Sequence, residues 1–393
     1  MRKRILSVLL TGTMIAVMAT GCSSKDDGQA ASGEAAGTES TTEEAPPAQS
    51  DGDEATADRA KTDTASADNS DMLIYLVSKG FQHQYWQAVY KGAHEAADEL
   101  GVKMQMEGPN TESDIQQQVQ MLNNAINLKP AAIGLAALDT EACIEGIEIA
   151  KSQNIPIIGF DSGVPNAPEG AVYANAATDN YAAGELAADE TYKLIKDKIA
   201  SADGTVRIGV MAQDATSESI VNRGLGFIDK MITLVQADGK TIGVEGNDKY
   251  TEGKEKSDGK DVIIDVAVPA QVTAEAATTD GQNLLNKKDI ICVYSSNQHS
   301  GEGLVHANDN LRKLGKDGIV GVAFDSGTVI KTAVADGTLA GAVTQDPFNI
   351  GCQTVELAVK AAKGEAVADV DTGCKWYTAD NMEAEDIAPN LYD

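Results

Sequence analysis

One short sequence, Phe-Asp-Ser-Gly, occurs twice in the chain, at 160–163 and at 324–327. Each copy ends an apolar run of strand length, so Asp161 and Asp325 both follow a predicted strand directly. Ligands of open α/β sheets bind outside the carboxyl ends of such strands, where a carboxylate accepts strong hydrogen bonds. The aspartates lie 164 residues apart (325 − 161), and this duplication predicts two similar lobes that face one ligand. The alternative is that each aspartate caps a turn or a helix, a common role of Asp after a strand.

Composition narrows the possible functions. The chain has 393 residues, which predicts two domains, and a formal net charge of −29. This charge argues against binding of nucleic acid, whose phosphates require Lys and Arg, and against a basic membrane-binding patch. The five cysteines form no C-x-x-C pair and the four histidines form no H-E-x-x-H motif. We therefore expect neither a metal nor a cofactor.

Motifs of common enzyme classes are missing from the sequence. We find no G-x-S-x-G and no phosphate-binding glycine loop after the first predicted strand. Two aspartates could imitate a glycosidase, but carboxylates that also meet an arginine should both stay ionised. General acid catalysis instead needs one carboxyl group with a raised pKa. We therefore predict a binding protein and not an enzyme.

The first 22 residues have the order of an export signal. Basic residues at 2–4 precede a mostly apolar stretch that is too short to span a bilayer, and small residues at 19–21 precede Cys22. This order resembles a bacterial lipobox, which implies that 1–22 is a lipoprotein signal peptide and that Cys22 carries lipid. A plain secretory signal with a chance cysteine is the alternative. Residues 23–71 are acidic and lack large apolar side chains, so we predict a disordered linker there.

The remainder of the chain alternates predicted strands with predicted helices. Apolar runs of strand length recur between segments with helical spacing, beginning with 73–77 and 84–100. This alternation predicts an α/β fold with parallel sheets. Between 232 and 261 the chain becomes polar and rich in glycine, and we predict an inserted hairpin or long loop in that segment.

Several short motifs in this part of the chain occur in the order found in one known family. They are Gln-Tyr-Trp at 84–86, Asn-Ile-Pro-Ile-Ile-Gly-Phe-Asp at 154–161, Ala-Thr-Asp-Asn at 177–180, Arg-Gly-Leu-Gly-Phe at 223–227, Ser-Asn at 296–297, Val-Ala-Phe-Asp at 322–325 and Thr-Gln at 344–345. From residue 73 onward the chain resembles the type I periplasmic-binding-protein family, within it the ribose-binding-protein-like sugar-binding lipoproteins of ABC transporters. The resemblance implies two doubly wound, Rossmann-like parallel-sheet lobes joined by a hinge of three crossovers. The lobes would be 73–177 plus 346–374, and 178–345 plus 375–393.

The resemblance also implies a ligand site in the cleft between the lobes. Its residues would be His83, Tyr85, Trp86, Asp161, Ser162, Arg223, Asn297, Asp325 and Gln345. The aspartates would accept hydrogen bonds from ligand hydroxyls, the arginine and amides would donate, and the aromatic rings would cover C–H faces. Other roles remain open for Trp86 as a core residue and for Arg223 in a surface salt bridge. Asn297 and Gln345 could instead satisfy loop backbone.

These implications define one expected function. The protein would capture a monosaccharide or similar polyol and deliver it to an ABC permease. It would act as a monomer, anchored through Cys22 at the extracytoplasmic face of the bacterial cell membrane. The alternative is a ligand-sensing receptor subunit for a sensor kinase or chemoreceptor, since the same cleft would serve it. Ser162 stands where the family's ribose binder has an arginine, so ribose is not implied. Two aspartates against one arginine predict an acidic pocket unless His83 is protonated. An acidic pocket would suit an amino sugar.

Overall fold

The computed structural model describes residues 69–81 and 83–393. The predicted signal peptide, Cys22 and most of the predicted linker lie outside the described residues. The strands are β1 (Leu73–Val77), β2 (Lys103–Glu107), β3 (Ala132–Leu135), β4 (Ile157–Phe160), β5 (Val172–Ala177), β6 (Val206–Met211), β7 (Ile242–Gly246), β8 (Val262–Ala267), β9 (Ile290–Ser295), β10 (Val320–Phe324), β11 (Gly341–Gln345), β12 (Val370–Asp371) and β13 (Cys374–Tyr377).

Helices connect most of these strands. They are α1 (Gln84–Leu100), α2 (Ile115–Asn127), α3 (Ile144–Ser152), α4 (Asn180–Ala200), α5 (Glu218–Ala237), α6 (Asp248–Thr251), α7 (Ala274–Leu285), α8 (Gln298–Leu311), α9 (Thr328–Ala335) and α10 (Pro347–Ala362), with a 3₁₀ turn at Ala388–Asn390. Within the described part of the chain, no helix is long and apolar enough to cross a membrane.

The first lobe is built on a parallel sheet of six strands in the order β12-β5-β4-β3-β1-β2. Alternate side chains of β1 enter two apolar clusters on opposite faces of this sheet. Ile74 and Leu76 pack with α1 and α10, whereas Tyr75 and Val77 pack with α2 and α3. The central strands are therefore continuous apolar runs, because helices cover both faces of the sheet.

The second lobe is built on a sheet of seven strands in the order β13-β11-β10-β9-β6-β8-β7. All of its neighbouring strands are parallel except β13, which runs antiparallel to β11. Val322 and Phe324 of β10 pack with α4 and α5, whereas Ala323 packs with α8 and α9 on the other face. Both lobes are thus doubly wound, as the sequence predicts.

The chain passes between the two sheets three times. It crosses after β5 into α4, after β11 into α10, and between β12 and β13. Helix α10 returns to the first lobe and packs closely on α1. A Cβ atom added to Gly92 would lie 1.9 Å from Phe348 O, and one added to Gly351 would lie 2.1 Å from Val89 O. Glycine at both positions therefore allows the helix backbones to approach each other.

The structure differs from the sequence prediction in the segment 232–261. Helix α5 continues to Ala237, and β7 then adds a parallel strand to the edge of the second sheet beside β8. The prediction of a hairpin or long loop is wrong here. Ile242 and Val244 are buried, but two apolar residues among Asp, Asn and Gly are too few to indicate a strand.

The third crossover lies slightly before its predicted position. The first-lobe segment was predicted to end at residue 374, but Cys374 is already the first residue of β13 in the second sheet. Cys374 and Cys352 are both free thiols.

Candidate functional site

The two Phe-Asp-Ser-Gly copies end their strands with the same backbone conformation. Asp161 has φ 56° and Asp325 has φ 71°, both in the left-handed region that Asp and Asn tolerate better than most residues. The Asp161 backbone N–H donates to Ala176 O at 3.1 Å, and that of Asp325 donates to Val343 O at 2.6 Å. Each strand therefore stays paired up to its aspartate, whose side chain lies in the cleft between the lobes.

Arg223, from α5, lies between these two aspartates. Its Nη1 is 3.6 Å from Asp325 Oδ2, and its Nη2 is 4.0 Å from Asp161 Oδ1. Its Nε donates to Asn180 Oδ1 at 2.8 Å, and its Cζ lies 4.1 Å from the centre of the Phe324 ring. The side chain is only 2% exposed, so the alternative of a surface salt bridge is wrong.

Asp161 is further paired within its own lobe. Lys79 Nζ lies 2.9 Å from Asp161 Oδ2, and the Tyr85 hydroxyl donates to Asp161 Oδ1 at 2.6 Å. Burial alone would raise the pKa of Asp161, but the charges of Lys79 and Arg223 and the hydrogen bond from Tyr85 outweigh it and lower the pKa. Lys79 in turn donates to Ser219 Oγ at 3.1 Å, so this ammonium also joins the two lobes.

Asp325 has neutral partners in addition to the shared arginine. Gln345 Nε2 donates to its Oδ1 at 2.6 Å, and the Gln298 backbone N–H donates to its Oδ2 at 3.0 Å. Burial raises the pKa of Asp325 above its ordinary value, and Arg223 only partly offsets that increase. The pKa of Asp325 is thus shifted in the opposite direction to that of Asp161, a difference that the sequence did not indicate.

A chain of hydrogen bonds crosses the cleft beside the aspartates. Trp86 Nε1 donates to Glu112 Oε1 at 2.7 Å, and Gln213 Nε2 donates to Glu112 Oε2 at 2.9 Å. Asn297 Nδ2 donates to Gln213 Oε1 at 2.7 Å, while its Oδ1 accepts the Ser300 backbone N–H at 3.1 Å and caps α8. The side-chain oxygen of Asn297 therefore accepts a backbone hydrogen bond, which was the alternative role considered for this residue.

These side chains surround a small cavity between the lobes. The space in it that a water-sized molecule can occupy is only about 30 Å³, well below the roughly 300–1,000 Å³ of ligand pockets, so a sugar ring enters only when the lobes separate. It is lined by Lys79, His83, Tyr85, Trp86, Glu112, Asp161, Ile220, Arg223, Asn297, Gln298, Asp325 and Gln345. Trp86 combines two roles, because it lines the cavity and also packs in the first-lobe core at 6.2 Å from Phe160.

A larger groove lies beside β5 and β12, with about 600 Å³ that a water-sized molecule can occupy. It is open to solvent, and the charged side chains that line it are all acidic. The smaller cavity is the better candidate for a ligand site, because buried charges and amides from both lobes converge there.

Eight of the nine residues predicted to bind ligand line this cavity, although ligand contact itself stays a prediction. The exception is Ser162, which is fully buried and whose Oγ accepts the Ser219 backbone N–H at 3.2 Å across the cleft. Sequence reasoning missed Lys79, Glu112, Ile220 and Gln298. The three polar residues lie two to five residues beyond the end of a strand, and that position was the only available signal.

The charge balance of the cavity differs from the expected one. The sequence predicted two aspartates against one arginine, but Glu112 adds a third carboxylate and Lys79 a second cation. Burial would raise the pKa of Glu112, but His83, Lys79 and the Trp86 hydrogen bond outweigh it and lower the pKa. Within the described residues, no group of three or more His, Cys, Asp or Glu side chains could hold a metal ion.

Known proteins are similar to this chain in sequence and in fold. The chain matches the family described as periplasmic binding protein domain over residues 74–366. The D-allose-binding periplasmic protein of Escherichia coli K12 is 23% identical over 312 residues, which cover 78% of this chain and 90% of that protein. A solved structure from Brachyspira murdochii, described as an ABC transporter, LacI family transcriptional regulator, is 36% identical with a TM-score of 0.68. The match covers 83% of this chain and 100% of that one. An ABC transporter solute binding protein from Agrobacterium vitis with bound D-fucose is 27% identical, with a TM-score of 0.68 and coverage of 81% and 100%.

Proposed function

The chain belongs to the periplasmic binding protein family, type I, and from that premise we propose that it captures a monosaccharide or similar polyol for an ABC importer. One observation carries the proposal: buried polar side chains of both lobes converge on one cavity, with Arg223 between Asp161 and Asp325. A sugar presents hydroxyls at its rim, and carboxylates, amides and a guanidinium suit such groups.

Sugar ligands in similar proteins support this choice of ligand class. The relative from Escherichia coli is named for D-allose, and the similar structure from Agrobacterium vitis contains D-fucose. Tyr85 and Trp86 supply the apolar surface that sugar C–H groups require.

Closure of the lobes around the ligand is part of the proposal. Several hydrogen bonds already join the lobes: Thr216 Oγ1 donates to Leu138 O at 3.0 Å, and the Gly163 backbone N–H donates to Glu218 Oε2 at 3.3 Å. A ligand held by groups of both lobes adds to these contacts and favours the closed arrangement.

A thermal-shift screen tests the ligand class. The full chain is heated with D-allose, D-ribose, D-arabinose, D-galactose, D-fucose, mannitol and D-glucosamine in turn. A ligand at about 100 times its Kd stabilises the folded protein by about 2.7 kcal/mol, which is a clear rise in Tm. We expect at least one sugar or polyol to raise Tm. No shift with any of these compounds, at concentrations up to tens of millimolar, would exclude sugar capture as the function.

Anchoring at the extracytoplasmic face is the second part of the proposal. It is supported by the order of basic, apolar and small residues before Cys22. In cell fractionation, wild type should sediment with membranes, and Cys22→Ser should appear in the soluble or secreted fraction. Cys352→Ser, a change far from the signal, is the matched control and should stay with membranes. A Cys22→Ser protein as membrane-bound as wild type would disprove lipid anchoring at this cysteine.

A further inference from the structure

Gln298 is a cavity residue whose side chain reaches across the cleft. It is the first residue of α8, in the second lobe, and only 2% of it is exposed. Its Nε2 donates to Glu302 Oε1 at 2.8 Å, one turn further along the same helix, and to Gln84 Oε1 at 2.5 Å in the first lobe. The amide nitrogen is thus engaged on both sides of the cleft.

The orientation of this amide is fixed by chemistry. An ionised carboxylate has no proton to donate, so the end of the Gln298 amide that faces Glu302 must be its NH₂ group. The opposite end, Oε1, is buried and has no hydrogen-bond partner among the described residues. Gln298 therefore lines the cavity and has a buried carbonyl oxygen that is free to accept.

Gln345, the last residue of β11, has the same arrangement of its side-chain amide. Its Nε2 donates to Asp325 Oδ1 at 2.6 Å, which again fixes the NH₂ end on a carboxylate. Its Oε1 is also buried, again without a partner in the described part of the chain. Two residues that contact Asp325 thus each have a buried amide oxygen that is free to accept.

The second Phe-Asp-Ser-Gly copy leaves space for the Gln298 side chain. Gly327 has φ 92°, and a Cβ atom added to it would lie 2.7 Å from Gln298 Nε2 and 3.3 Å from Gln84 Oε1. A larger residue at this position would push the amide out of its place. The glycine of the motif therefore helps to fix the amide as well as the turn.

We propose that Gln298 determines ligand specificity, by requiring a hydrogen-bond donor on the ligand edge that faces the second lobe. Gln345 Oε1 requires a second donor beside it. A ligand with adjacent hydroxyls on this edge satisfies both oxygens, and so does one with an ammonium group. A ligand with a carboxylate, a ketone or a missing hydroxyl leaves a buried acceptor unpaired, which weakens binding. This inference rests on the proposed sugar-binding function and states which sugars the cavity accepts.

Monodeoxy sugars test the inference by calorimetry. The probe is whichever compound of the thermal-shift screen binds the wild-type full chain most tightly, together with its monodeoxy derivatives. In wild type we expect removal of one particular hydroxyl to weaken binding about tenfold or more. The variant Gln298→Met keeps the length of the side chain but lacks the amide oxygen. In this variant the same deoxy derivative should bind almost as well as the parent sugar. Gln236→Met, on an exposed part of α5, is the control and should match wild type throughout.

Glu302→Gln provides a second test that keeps Gln298 in place. A glutamine at 302 can donate as well as accept, so the Gln298 amide is free to turn its nitrogen toward the cavity. We expect the tenfold discrimination between parent and deoxy sugar to fall toward onefold in this variant, as in Gln298→Met. Because Glu302 is only half-buried, the fold should tolerate the change even where Gln298→Met does not fold.

The outcomes separate the inference from the function on which it rests. If both variants weaken every derivative by the same factor, Gln298 has only a structural role and the inference is wrong, while sugar binding stands. Wild-type discrimination in Glu302→Gln would likewise overturn it. If no compound of the thermal-shift screen binds wild type, the proposed function and the inference fail together.

Discussion

The two Phe-Asp-Ser-Gly copies have the same backbone and different electrostatics. Both aspartates follow a buried strand with positive φ and lie in the cleft. Asp161 has a cation of its own in Lys79, whereas the nearest partners of Asp325 are the neutral groups Gln345 and the Gln298 backbone N–H. Accordingly the pKa of Asp161 is lowered, although burial opposes this, and burial raises the pKa of Asp325.

The serines of the two copies also have different hydrogen-bond partners. Ser162 Oγ accepts the Ser219 backbone N–H from the opposite lobe at 3.2 Å. Ser326 Oγ instead accepts the Tyr392 backbone N–H at 3.0 Å, within a turn that also holds the end of the chain. The four-residue sequence thus sets the strand end and the direction of its side chains, while neighbouring residues set their charge and partners.

Removal of Arg223 should have the largest effect, because this one side chain lies beside both aspartates. Arg223→Met keeps most of the length and apolar contact of the side chain but leaves two buried carboxylates without their shared cation. Loss of one member of a buried charge pair costs about 2–5 kcal/mol or more, so we expect affinity for the probe sugar to fall at least about 100-fold. Calorimetry measures the affinity.

Arg312→Met is the matched control for this change. Arg312 lies at the end of α8, away from the cavity, and its loss should leave affinity within about twofold of wild type. A folded Arg223→Met protein that binds the sugar as tightly as wild type would contradict the view that the two aspartates share this cation.

The fold was largely predictable, because continuous apolar strands and amphipathic helices follow from burial on both faces of each sheet. Strand β1 (Leu73–Val77) and helix α1 (Gln84–Leu100) begin and end where their patterns predict. The edge strand β7 was not predictable, since an edge strand needs few apolar residues and its neighbours are turn formers. The strand β12 was not predictable either, because it has only two residues and lies at the edge of the first sheet.

The site was predictable only where a motif marked it. Asp161 and Asp325 stood out through repetition, and Arg223 through the resemblance to a family. Lys79 and Glu112 belong to no motif, and their importance comes from pairs formed over long distances in sequence: Lys79 with Asp161, and Glu112 with Trp86 and Gln213. The first two pairs depend on the packing of the first lobe and the third on the contact between the lobes, and a single sequence reveals neither.

Replacement of each aspartate by asparagine should sharpen the comparison between the two strand ends. Asparagine tolerates positive φ, so the turns should survive. Asp161→Asn leaves Lys79 buried without its counterion, and we expect affinity to fall about 100-fold. Asp325→Asn leaves mostly neutral partners and should cost about tenfold. Calorimetry gives the two affinities, and circular dichroism checks the fold. Equal losses, or a larger loss for Asp325→Asn, would mean that the strand ends are electrostatically alike.

The pH dependence of stability should differ in sign between the two aspartates, a smaller effect. The stability that ionised Asp161 contributes is present above its ordinary pKa of 3.8 and is lost as pH falls through the lowered folded pKa. The folded pKa of Asp325 is raised above its ordinary value of 3.8. Ionisation of Asp325 therefore reduces stability as pH rises from 3.8 through the raised folded pKa.

Chemical denaturation between about pH 3 and pH 7 measures this difference. Relative to wild type, Asp325→Asn should become progressively more stable as pH rises above 3.8. The deficit of Asp161→Asn should shrink as pH falls below 3.8. Parallel curves for the two variants would show that their carboxylates titrate alike, contrary to the difference in their partners.

A crystal structure of the full chain with its tightest-binding sugar tests most directly whether both strand ends hold one ligand, since it measures the contacts of both at once. We expect a single sugar ring in the cavity, with oxygens of both Asp161 and Asp325 within about 3.2 Å of its hydroxyls, and Gln298 Oε1 accepting from one of them. A sugar that contacts only one of the two aspartates, or one that occupies the open groove beside β5 and β12, would contradict a ligand site shared by the two copies.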